Sequence, residues 1–143
     1  MRFAWDILVT PEDKETNKKV VTLPLAHGII TLVSILFPPG CHKMVHCVIR
    51  HYEHAIFPSV EDMSISGDTT PVEWNEYYEM YREPYELKAE LWGVNCRYDH
   101  TVGISIVVLP RKAVISLAIV DAIKSVFGLL SPKRIFTRTQ GEK

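Results

Sequence analysis

Between Pro84 and Pro110 the chain runs through two stretches of alternation, Tyr85-Glu86-Leu87-Lys88-Ala89-Glu90-Leu91-Trp92 and His100-Thr101-Val102-Gly103-Ile104-Ser105-Ile106-Val107-Val108-Leu109. A polar break containing Gly93, Asn95 and Asp99 separates them. Successive side chains of a strand point to opposite faces, so a repeat of two residues does not sit on a helix and predicts strands with one buried face. The short turn-rich break predicts that the two strands pair as a β-hairpin, closing a β-sandwich.

The rest of the chain up to Pro110 extends this reading. Phe3 to Thr10 alternates, the charged stretch Glu12 to Lys19 forms an exposed loop, and Val20 to Leu25 resumes as a short strand. The β-branched run Gly28 to Phe37 stops at Pro38-Pro39-Gly40, where proline removes backbone donors and forces a turn, and a partner strand is predicted at Met44 to Arg50. Short strands are predicted at Ala55 to Phe57 and Met63 to Ile65. Val72 to Tyr81 separates Trp74, Tyr78 and Met80 from Glu73, Asn75, Tyr77 and Glu79, as a half-buried strand does. The expected fold is mainly β: an antiparallel two-sheet sandwich, immunoglobulin-like or jelly-roll, over residues 1–110. Leu32, Val48, Leu87, Leu91, Ile104 and Ile106 fall on apolar parities and are the predicted core.

Residues 111–143 change period. Ile115, Ile119, Ile123, Val126, Phe127 and Leu130 recur near three- and four-residue steps and Pro132 ends the run, which predicts a C-terminal amphipathic helix followed by a basic tail with Lys133, Arg134 and Arg138. The apolar arc is wider than a surface helix needs, so these six residues are the predicted interface. Subunit packing is its favoured destination, over its own sandwich or a lipid surface.

Composition narrows the function classes. With 143 residues and a formal charge of -1, the chain has no overall field for nucleic acid, and no nucleic-acid partner is expected. Cys41, Cys47 and Cys96 match no zinc or redox spacing and read as reduced, packed thiols of a chain made in the cytoplasm. Asp6 near the N-terminus argues against a signal peptide, and Asp121 and Lys124 argue against a membrane span in the apolar tract.

Three groups of residues offer chemistry. His42, His46 and His54 are metal-ligand types, but lie at no recognised ligand spacing; His46 and Cys47, adjacent on a strand, face opposite ways. The predicted role for these histidines is hydrogen bonding or exposure, and no cofactor is implied. Glu73, Tyr77, Glu79 and Tyr81 form a candidate binding face, since aromatics beside carboxylates stack on sugars or dock proteins. Cys47 near histidines has the elements of a nucleophile and base, yet a strand-interior cysteine is more often an inert core residue. Phosphate cradles, nucleophile elbows and zincin motifs are absent, and the chain is read as non-enzymatic.

Phe37-Pro38-Pro39-Gly40 between two strands, Glu83-Pro84-Tyr85-Glu86-Leu87-Lys88-Ala89 opening a strand, and Thr101 to Pro110 closing the domain together resemble immunoglobulin-like sandwich modules of virion accessory proteins. These include head-decoration and turret-like proteins of phages and archaeal viruses. The resemblance spans about residues 20 to 110 and implies a structural subunit of a homo-oligomer or larger assembly, such as a capsid or decoration component. It carries over no site residue. The alternative is a small carbohydrate- or protein-binding module using the Glu/Tyr face or the His-rich hairpin.

Overall fold

The computed structural model describes residues 1–110 and 119–126. The chain divides into two compact units, Met1–Pro110 and Arg111–Lys143. The first contains nine strands: β1 (Arg2–Val9), β2 (Lys19–Pro24), β3 (Gly28–Leu36), β4 (Val45–His51), β5 (His54–Phe57), β6 (Ile65–Ser66), β7 (Pro71–Met80), β8 (Glu86–Gly93) and β9 (His100–Leu109). In the second, residues 119–126 form a helix, α1.

The strands make two antiparallel sheets, one in the order β1-β9-β3-β7 and the other in the order β2-β8-β4-β5, with β6 beside β5 on β4. Taken as pairs, β4 joins β5, β3 joins β7, β2 joins β8 and β1 joins β9. The unit is therefore one long antiparallel ribbon with its tip at Tyr52-Glu53, rolled so that successive pairs fall alternately into the two sheets. Of the two sandwich types expected, this is the jelly-roll order. In the immunoglobulin order the first two strands share a sheet, whereas here β1 and β2 lie in different ones.

The structure corrects the predicted β8–β9 hairpin. β8 lies between β2 and β4, β9 lies between β1 and β3, and residues 94–99 carry the chain from one sheet to the other. The turn after β3 does the same, so β4 is not the partner of β3. Alternation records which face of a strand is buried, and the two strands of an arch bury facing sides as readily as those of a hairpin. A connection longer than the two residues of a tight hairpin can span the ~10 Å between stacked sheets.

The arch after β3 is built locally. Gly40 takes φ 89°, which glycine adopts without steric cost, and its N–H donates to the Asp68 carboxylate at 3.0 Å. Phe37 and Cys41 are buried on either side of the turn.

The core lies between the sheets and includes Val33, Ile35, Ile104 and Ile106 from the first, with Leu23, Cys47, Ile49, Leu87 and Leu91 from the second. Two predicted core residues are placed differently. A bulge between Ile30 and Leu32 shifts the register of β3, so Ile30 and Val33 belong to the core while Leu32 is half-buried on the outer side. Val48 is buried, but it shares the outer parity of His46 and Arg50 and stands outside the core cluster.

Candidate functional site

The three candidate metal ligands are dispersed. His42 sits in the β3–β4 turn at φ 45°, exposed, with Nδ1 3.6 Å from an Asp68 carboxylate oxygen. His46 lies on the outer face of β4, stacked on Trp92 at 5.5 Å, its Nδ1 2.9 Å from Ser64 Oγ. His54 opens β5, paired across the strands with His51 at the far end of β4. Among the described residues, no three His, Cys, Asp or Glu are grouped to hold a metal ion.

The thiols are held protonated. Cys47 is wholly buried in the core, and desolvation pushes its pKa up to about 12. Burial, then the Asp68 carboxylate and Cys96, push Cys41 up to about 11. Neither cysteine has the electropositive surroundings that generate a thiolate nucleophile at neutral pH.

The predicted binding face is largely on one strand. Glu73, Tyr77 and Glu79 form the outer row of β7, where Tyr77 is 66% exposed and its hydroxyl donates to Glu79 at 3.4 Å. Tyr81 lies beyond the strand and stacks on His27 at 5.3 Å, at one end of the sandwich.

Two further features emerge only on folding. On the inner row of β7, Trp74, Glu76 and Val72 meet Ile56, Phe57 and Ile65 to line an open cleft of about 270 Å³ between the edges of the two sheets. Trp74 Nε1 donates to Glu76 Oε2 at 3.3 Å, and Phe57 packs edge-on against Trp74 with ring centroids 5.8 Å apart. A carboxylate on the apolar parity between Trp74 and Tyr78 was the sequence signal for this cleft.

At the end of the ribbon, the tips of the His-rich and Glu/Tyr-rich segments come together. His51 Nδ1 and Tyr78 Oη share a hydrogen bond at 2.7 Å, Tyr52 stacks on the imidazole at 4.2 Å, and the Tyr52 hydroxyl donates to the Glu83 carbonyl at 3.2 Å. His51 Nε2 is buried without a hydrogen-bond partner, and burial lowers the pKa of the ring. A recess of about 120 Å³ here is lined by His51, Tyr52, Glu53, Pro84, Glu86 and Lys88. The neutral imidazole bonds a tyrosine whose own pKa burial raises, an arrangement that locks the hairpin tip rather than activating a nucleophile.

In the second unit, Ile119, Ala122, Ile123 and Val126 form one stripe along α1, at steps of three and four residues, with Ile119 and Val126 each 53% exposed. Asp121, Lys124 and Ser125, together with the exposed Val120, occupy the remaining side; Lys124 and Asp121 approach to 3.9 Å. Ile115, Phe127 and Leu130 of the predicted interface lie outside the described residues. No helix among the described residues is long and apolar enough to cross a membrane.

No protein-family model, no curated protein and no solved structure matches this chain.

Proposed function

We propose that the chain is a non-enzymatic assembly subunit, a jelly-roll body whose C-terminal helix packs against other copies, in the manner of a virion capsid or decoration component. The observation that carries this reading is the apolar stripe of α1, Ile119, Ile123 and Val126, standing exposed. A unit below roughly 40 residues without disulfides or metal gains stability by oligomerising. The jelly roll serves capsids, lectins and enzymes alike, so the fold supports the reading without selecting it.

Light scattering on the purified full chain tests the proposal. The expected result is a defined oligomer whose mass falls in the Ile119→Asp plus Ile123→Asp variant and falls to monomer on truncation after Pro110, with the sandwich still folded. A monomeric full chain at high concentration overturns it.

A second reading, a small protein- or carbohydrate-binding module, is favoured by the cleft beside β7, where Trp74 and Glu76 combine a stacking surface with a carboxylate. Glycan binding that is lost on Trp74→Ala, in a chain that is monomeric, selects that reading instead.

A further inference from the structure

We infer that the free edge of β7, with the cleft beside it, receives the basic segment 133–138 of a second copy of this chain as an added strand. The inference rests on the assembly reading for its second copy and adds a contact distinct from α1.

β7 is the last strand of its sheet and, among the described residues, pairs with β3 alone. Apart from Pro71, which has no N–H, and Tyr77, whose N–H is taken by Glu76, this ten-residue edge strand presents a row of backbone N–H and C=O groups, the template used in β-strand addition. The edge is charged in one sense: β7 carries Glu73, Glu76 and Glu79 and no Lys or Arg. Two copies of β7 pairing with each other would set carboxylate against carboxylate, which destabilises such a ladder, whereas a basic strand is attracted. The same charges that refuse self-pairing therefore select their partner.

The sequence holds a segment of complementary chemistry. Residues 133–138 contain Lys133, Arg134 and Arg138, no acid, and between them Ile135 and Phe136. Adjacent residues of a strand point to opposite faces, so in either register one of Ile135 and Phe136 is on the side of the cleft. That cleft is lined by Phe57, Val72 and Trp74 and bordered by the Glu76 carboxylate, which accepts from Trp74 Nε1 at 3.3 Å and from the Tyr77 N–H at 3.0 Å.

The test uses the full chain with Lys133→Glu, Arg134→Glu and Arg138→Glu, which frees the edge of its own tails, and a fluorescent peptide of residues 131–143 as probe. Anisotropy is expected to report saturable binding that weakens about tenfold when salt is raised from about 0.05 to 0.5 M, since exposed charge pairs are screened. Adding Glu73→Lys and Glu79→Lys, both on the exposed outer row, should abolish binding with the far-ultraviolet spectrum unchanged. No binding, or binding indifferent to those two charges, overturns the inference. If α1 variants still lower the mass of the wild-type chain, the assembly reading survives that failure. Peptide binding to a wild-type chain that is itself monomeric overturns the second-copy occupant.

Discussion

The bulge in β3 makes neighbouring residues answer differently to the same truncation. Val33 is fully buried between the sheets, while Leu32, which uninterrupted alternation would bury, is half-buried on the outer side. Val33→Ala removes two methyl groups, worth about 1.6 kcal/mol of transfer free energy, and the cavity left in a close-packed core raises the cost to roughly 2–3 kcal/mol. Leu32→Ala removes more carbon, but from a site already half in water and with no closed cavity, so the cost is about 1 kcal/mol. Urea titrations followed by tryptophan fluorescence measure both, provided that the slope of the transition is unchanged. If Leu32→Ala is the more damaging substitution, the register shift and the placement of the core in β3 are both refuted.

The fold should weaken in mild acid through His51. Its folded pKa lies below the ordinary value because burial disfavours the charged ring, so its contribution is fully present above the unfolded pKa of about 6.5 and is lost as pH falls through that value towards the folded one. Urea midpoints at pH 7.5 and 5 should differ in the wild-type chain and differ less in His51→Phe; an equal acid loss in the variant assigns the effect elsewhere. Cys47, with its pKa pushed up to about 12, should resist a thiol reagent in the native chain at neutral pH and react once the chain is unfolded. Fast stoichiometric labelling of Cys47 in the folded state contradicts its placement. Charge reversal at Glu73 and Glu79 should leave stability within about 0.5 kcal/mol of wild type, as expected for exposed positions, which a thermal melt checks.

The sequence by itself determined which segments are strands and, mostly, which side of each is buried. Trp74, Tyr78 and Met80 separate from Glu73, Tyr77 and Glu79 because side-chain direction in a strand is a local property, set by backbone geometry with a period of two. The turn at Pro38-Pro39-Gly40 was equally legible, because proline and glycine act on their own residues. Partnership was not local. Arg2 pairs with Val107 and Lys19 with Leu91, and among the described residues only the β4–β5 pair is a tight hairpin, so pairing followed the rolling of the whole ribbon, which no window of alternation records. The same rolling decided the sites. It brought His51 against Tyr78, opened the cleft beside Trp74, and separated His42 from His54 to opposite ends of β4, because those contacts depend on which strands become neighbours across a sheet or an edge. Even the parity of Leu32 was a tertiary matter. Between Ile30 and Leu32, β3 carries one residue more than β9 opposite it while β7 carries one more than β3, and this shift turned an apolar side chain outward that its own neighbours in sequence would have placed inside.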